Sequence, residues 1–197
     1  MTASGEGGRA EIRRRQLIDA GLALLEEFTY SEITITMIAE RAGLARGLVF
    51  YYFSDKDTFF QAVAQTFLQG NRDAFLVNDP GGHADPVAWL DAEVDIFLTL
   101  MCRYPGTMRT IVTELREVQA GTFPAMADFT GRRITEAFAV SSDPLLVEVL
   151  RSWGAHSVDL AVRAIAAGVW DRERVAAVLV AEVRGLLAAT PARAATS

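Results

Sequence analysis

The stretch from Thr34 to Lys56, TITMIAERAGLARGLVFYYFSDK, constrains the fold of this chain more than any other. Thr34 stands just ahead of the apolar-periodic Ile35, Ile38 and Ala39, where a Thr hydroxyl can satisfy an orphan N–H at a helix start. The run is shorter than the roughly 12 residues an isolated helix needs to persist in water. It breaks at Ala42-Gly43-Leu44, where Gly43 is free to take the left-handed conformation that ends a helix. A second short run, Ala45 to Tyr52, puts Val49 and Tyr52 on one side. Two short helices around a glycine turn are the ingredients of a helix-turn-helix, whose second helix enters the major groove. An ordinary helical hairpin has the same ingredients, and periodicity with Gly43 does not choose between the two.

The wording of the stretch does choose. T-x-x-x-I-A-x-x-A-G-L, a short helix rich in aromatics and then S-D-K resemble the TetR family of bacterial transcriptional regulators. Thr34, Ile38, Ala39, Ala42, Gly43, Leu44, Gly47, Tyr52, Phe53 and Lys56 match in register without a gap. With the flanking helices the resemblance covers roughly residues 10 to 70. It implies an all-helical protein of about nine helices in three parts. A helix-turn-helix head would occupy residues 1–54, a connecting helix residues 55–77, and a ligand-binding and dimerisation domain residues 78–197. The implied function is that of a transcriptional regulator, foremost a repressor, released from a pseudo-palindromic operator by a small, mostly apolar ligand.

Composition agrees with a globular helical chain: 197 residues, 51% hydrophobic, 22% charged and only 6 prolines. The net charge of −6 argues against non-specific wrapping of nucleic acid and leaves room for a local basic face. Residues 1–56 hold 7 basic and 8 acidic side chains, so the head is not basic on average. A positive footprint rests on Arg13-Arg14-Arg15 at the opening of the first helix, with Arg46 and Lys56 on the reading unit. One cysteine, Cys102, excludes an intramolecular disulfide framework and a cysteine-based metal site. The polar start MTASGEGG does not read as a signal peptide, and no apolar run approaches 18 residues, so a cytoplasmic protein with no membrane partner is expected. Two histidines, His83 and His156, with no H-E-x-x-H and no phosphate-loop glycines, supply no catalytic set, metal site or cofactor motif.

Taken in order, the apolar spacing predicts helices over about residues 10–28, 35–42, 45–52, 55–77, 86–103, 107–119, 123–140, 144–168 and 172–189. Pro105-Gly106 and Gly121 with Pro124 are read as breaks. Thr29 stands where the family usually ends its first helix with Gly; a β-branched residue at positive φ is strained, so this turn is either strained or shaped differently.

The exposed front of the third helix, Ala45, Arg46, Gly47, Phe50 and Tyr51, is the expected base-reading surface. Arg46 can offer a bidentate fork to guanine, worth about 1–3 kcal/mol of discrimination. A solvated surface arginine is its bland alternative. Gly47 matches a position where relatives keep a small residue, and Ala45 could touch a thymine methyl. Thr36, Tyr51, Tyr52 and Lys56 match family positions that grip phosphate or sugar, and Thr34 joins the DNA-facing set. A core aromatic with its hydroxyl tied locally is an equal reading of Tyr52. Phe50 departs from a common Tyr whose hydroxyl bonds a phosphate, and Leu48 from a common Thr.

A second set suits an adaptable apolar pocket: Trp89, Phe97, Met101, Met108, Phe123, Met126, Phe129, Trp153 and His156. The resemblance places a small-molecule effector there, apolar or amphipathic; singly, each of these side chains reads as plain core. Leu160 and Ile165 of the eighth helix, with Val175, Val178, Leu179, Val183 and Leu186 of the ninth, form the expected homodimer interface, a four-helix bundle about a twofold axis. Ordinary intrachain packing must account for part of either helix. The double-stranded DNA operator, the effector and a second copy are thus the expected partners. Other readings remain: a ligand-independent activator or DNA-organising member, or a ligand-binding adaptor with vestigial heads.

Overall fold

The computed structural model describes residues 3–140 and 144–189. Its helices are α1 (Ala3–Glu27), α2 (Ile35–Ala42), α3 (Arg46–Tyr52), α4 (Lys56–Leu76), α5 (Pro86–Arg103), α6 (Pro105–Thr113), α7 (Arg116–Ala137), α8 (Pro144–Ala166) and α9 (Arg172–Ala189). A 3-10 turn at Pro80–Gly82 lies between α4 and α5, and among the described residues there is no strand. None of the described helices is long and apolar enough to cross a membrane. The chain packs as two compact units. Among the described residues, one joins residues 3–70 to 104–118; the other joins residues 71–103 to 119–140 and 144–189.

In the first unit, the two short helices get their ends from their sequence. Thr34 is extended (φ −112°, ψ 158°), and its hydroxyl oxygen accepts from the Met37 N–H at 3.2 Å. Gly43 is left-handed (φ 66°). The Leu44 N–H donates to the Ala39 carbonyl (3.0 Å) and the Gly43 N–H to that of Glu40 (3.1 Å), the paired bonds of a Schellman ending. What keeps α2 and α3 folded is the buried stripe of α1. Leu17, Ile18, Leu24 and Leu25 are buried together with Ile33, Ile38, Val49, Phe53, Phe59 and Phe60. Each such side chain contributes about 1.5–3 kcal/mol when fully buried. Phe53, Phe59 and Phe60 meet edge to face at 5.0 and 4.9 Å.

The turn after α1 is not strained. Ala139 is the one non-glycine residue with positive φ among the described residues, so Thr29 does not take the conformation glycine would. Instead the Thr29 N–H and hydroxyl both donate to the Glu32 carboxylate, at 2.8 and 2.7 Å, and the Glu32 N–H returns to the Thr29 carbonyl at 3.1 Å. A polar side chain closes this turn by hydrogen bonding where glycine would close it by conformation.

Pro105-Gly106 opens α6 and does not merely end α5. Proline at a first helical position has no N–H to leave orphaned. Gly106 lies so close to α1 that a side-chain carbon there would overlap the Leu25 carbonyl. The Glu26 carboxylate caps the helix, accepting from the Gly106 N–H (2.9 Å), the Thr107 N–H (2.8 Å) and the Thr107 hydroxyl (2.6 Å). No sequence motif announces that α6 packs with the head.

In the second unit, Trp89, Leu90, Val94 and Leu98 of α5 pack with Ile134 of α7, Leu146, Leu150 and Trp153 of α8, and Val175, Leu179 and Val183 of α9. α7 starts at Arg116, earlier than the spacing predicts, and carries Pro124 inside it. Having no N–H, Pro124 forgoes one helical hydrogen bond without ending the helix. The end of α7 is the strained point. Ala139 has φ 48° while its N–H donates to Glu136 and that of Val140 to Thr135, both at 3.1 Å. This is a glycine-type ending made with an alanine. Ala139→Gly should therefore stabilise the fold by about 0.5–1 kcal/mol, the left-handed penalty less the added freedom of the unfolded chain. Urea denaturation checks it; a lower midpoint for the variant would contradict the assignment.

Candidate nucleic-acid interface

The third helix is built to show one face outward. Its N-cap, Ala45, is extended (φ −68°, ψ 139°) and offers no side-chain bond, so its start depends on the Leu48 N–H reaching the Ala45 carbonyl at 2.9 Å. Val49 anchors it in the core, with Phe53 just past its end. Arg46, Gly47, Phe50 and Tyr51 lie on the solvent side; Phe50 is 49% exposed and Tyr51 76%. A side-chain carbon added at Gly47 would meet nothing within 4 Å, so no neighbour in the chain requires a glycine there. The Arg46 guanidinium lies 5.8 Å from the centre of the Phe50 ring. Tyr52 is half-buried, edge-on to Tyr51 at 5.0 Å. Large exposed rings beside an arginine are an uncommon solvent face and a suitable one for bases and sugars.

The remaining members of the predicted set are placed less uniformly. Thr36 is exposed on α2. The Thr34 oxygen is engaged in capping, which leaves its O–H as a donor. Lys56 turns inward: its ammonium donates to the Tyr30 carbonyl and lies 4.3 Å from the Tyr30 ring centre. Burial pushes its pKa down from the usual lysine value. The Tyr30 hydroxyl donates to the Asp57 carboxylate; burial first, and Asp57 second, push the phenol up. One of the three ammonium donors of Lys56 is thus committed to the turn after α1. Asp55 caps α4 by accepting from the Thr58 N–H at 2.7 Å, and that bond holds its carboxyl below the usual range.

The arginines of the head divide in the same way. Arg41 makes a two-pronged pair with Glu27 (2.7 and 2.6 Å), and Arg15 pairs with Asp19 at 3.0 Å. Arg14 lies 5.5 Å from the Phe53 ring centre. Because α1 begins at Ala3, the Arg13-Arg14-Arg15 cluster lies in the middle of the helix and not at its opening, and intrachain partners draw on Arg14 and Arg15 within it.

The predicted pocket residues are divided between the two units. Met108 belongs to α6 in the first unit, and Phe123 lies among residues whose side chains fall outside the described ones. Trp89, Met101, Phe129 and Trp153 are buried, Phe97 and Met126 half-buried. His156 is exposed, its Nε2 3.4 Å from the Glu182 carboxylate, which also accepts from the Trp153 indole at 3.1 Å. Polar residues that the apolar spacing passed over sit at the centre. Arg133 Nε and Nη2 donate to the two Glu93 carboxylate oxygens at 2.8 and 3.0 Å, both side chains being buried. The same guanidinium reaches the Phe75 carbonyl (2.8 Å), and Asn78 donates to Glu93 (2.8 Å). The signal was available: Glu93 lies three residues after Leu90 and four before Phe97, inside an apolar stripe where a carboxylate requires a partner.

The dimer set also divides. Val175, Leu179 and Val183, on the inward stripe of α9, lie in the buried cluster that also holds Trp153. Leu160, Ile165 and Leu186 are half-buried, and Val178 is 41% exposed.

Residues 17–63 match the sequence pattern of the bacterial regulatory proteins of the tetR family. The chain is 42% identical over 69 residues to the HTH-type transcriptional regulator BetI of Escherichia coli, 35% of each chain being covered. It therefore spans about a third of the length of the curated relatives it matches. A tetR-family transcriptional regulator from Streptomyces coelicolor has the same fold, with a TM-score of 0.76 and 24% identity over 91% of this chain and 82% of that one. The regulator FadR from Bacillus subtilis, solved in complex with stearoyl-CoA, aligns with a TM-score of 0.61 and 15% identity over 86% and 96%.

The buried pair carries a stability prediction. Glu93→Ala leaves the Arg133 charge buried and unpaired and should cost about 3–5 kcal/mol, whereas Glu93→Leu with Arg133→Met should lose far less. Denaturant unfolding decides; equal losses for the single and the double variant would contradict the pairing.

Proposed function

We propose that this chain, whose residues 17–63 match the bacterial regulatory proteins of the tetR family, is a DNA-binding transcriptional regulator of the cytoplasm. Specifically, it is a repressor that leaves a pseudo-palindromic operator when a small, mostly apolar ligand binds. The observation that carries this reading is the outward front of α3. There Arg46, Gly47, Phe50 and Tyr51 face solvent on a helix whose opposite side is anchored by Val49. Arg46 supplies the fork for a guanine edge, and the open position of Gly47 lets the helix backbone approach the groove. Thr36 and Tyr51 supply hydroxyls for phosphates.

Two copies joined through α8 and α9, with Val178 toward the partner, present two heads to consecutive major grooves about 34–36 Å apart. The ligand occupies the aromatic and methionine-rich part of the second unit, where half-buried Phe97 and Met126 can repack around an apolar guest. A coupling of about 1–3 kcal/mol between ligand and operator is enough to release the DNA.

The test is a gel shift of the full chain on the intergenic DNA upstream of its own gene, at stated salt, with scrambled competitor. The wild type should prefer the operator. Arg46→Ala should lose about 1–3 kcal/mol of that preference while keeping its thermal midpoint. Equal affinity of the wild type for operator and scrambled DNA, after selection on genomic fragments as well, refutes the reading.

A further inference from the structure

Phe50 is a ring with no place in the core. It is 49% exposed, while the buried contribution of α3 comes from Val49. It has no hydroxyl with which to bond a phosphate. It does have a face, and a cation lies over it. Arg46 stands four residues earlier, one helical turn away, where side chains are neighbours. Its guanidinium carbon is 5.8 Å from the ring centre, within the reach of a cation–π contact.

Arg46 differs from many other arginines of the chain. Arg15, Arg41, Arg151, Arg163 and Arg172 each hold a carboxylate. Among the described residues no carboxylate pairs with Arg46. A carboxylate would occupy the donors of the fork; a ring attracts the charge without taking them as a carboxylate does. A free arginine loses much rotamer freedom when it is fixed on a base, and a contact that limits that freedom beforehand reduces the loss. Beside the pair, Gly47 adds no side chain.

We propose that Phe50 is a positioning residue for sequence reading: its ring holds the unpaired Arg46 guanidinium at the front of α3, ready for a guanine edge. The inference rests on the proposed DNA-binding function and adds to it a role for the residue that departs from the family's tyrosine. The ring is required as a π face, so Tyr can replace it and an aliphatic side chain cannot.

The experiment measures binding of the full-length protein to the selected operator, and to operators with each guanine replaced in turn, over a range of salt concentrations. The proteins compared are wild type, Phe50→Leu, Phe50→Tyr, Arg46→Ala and the Arg46→Ala/Phe50→Leu double variant. Phe50→Leu should weaken operator binding about two- to fivefold, the size of an exposed cation–π contact. The loss should vanish on the operator lacking the guanine that Arg46 reads, and the salt slope should stay that of the wild type, because no phosphate contact is removed. Phe50→Tyr should bind at least as tightly as the wild type and keep its dependence on the guanine that Arg46 reads, and Phe50→Leu should cost nothing further once Arg46 is Ala. Additive losses in the double variant, or a Phe50→Leu loss that persists on every guanine-replaced operator, overturn the positioning role. A wild type that prefers no operator at all overturns the DNA-binding function itself, and the inference with it.

Discussion

Helices of eight and seven residues do not persist in water, because too few hydrogen bonds follow the costly first turn. α2 and α3 exist because α1 lends them a core. Leu17, Ile18, Leu24 and Leu25 of α1 are buried, as are Ile38, Val49 and Phe53, and Phe59 of α4 packs edge-on to Phe53 and Phe60. Everything proposed for the front of α3 depends on that packing. A single buried side chain, Val49, fixes which face of so short a helix is turned away from water. Its outward face is then free to be chosen for chemistry, which is why Arg46, Gly47, Phe50 and Tyr51 can stand together there.

Charges serve the architecture in two ways. In the first unit they close ends: Glu26 caps α6, Glu32 closes the turn at Thr29, Asp55 caps α4, and Lys56 holds the Tyr30 carbonyl. Such contacts satisfy backbone groups that short elements would otherwise leave orphaned. In the second unit one ion pair, Glu93 with Arg133, is buried and bidentate, and the same guanidinium reaches the Phe75 carbonyl next to the end of α4. A pair of this kind adds little net stability over an apolar replacement and is costly to break on one side. Its fork geometry admits few arrangements of α5 and α7.

What could be read from the sequence follows from how local each determinant is. The limits of α2 lie in Thr34 and Gly43 themselves, so they were legible, and the all-helical fold was legible from apolar spacing. The opening of α6 was not, because its cap, Glu26, lies 80 residues away in the chain from Gly106 and spacing along one helix cannot reveal it. The turn at Thr29 reads as an exception until Glu32 is seen to supply the bond that replaces glycine. Lys56 matches a family position, yet its neighbour in space is Tyr30, which no local pattern pairs with it. In α9 an apolar stripe says that a face is buried and not against what. Val175, Leu179 and Val183 turn out to serve the chain itself.

The central claim is that the front of α3 reads guanine through Arg46. Interference by N7 methylation of guanine tests it most directly, since that atom is one of the two acceptors the fork would use. The account predicts that methylating one guanine in each half-site blocks the wild type and leaves binding by Arg46→Ala unchanged, with the two positions about one helical turn apart. Interference that is absent, or that persists equally in Arg46→Ala, would contradict it.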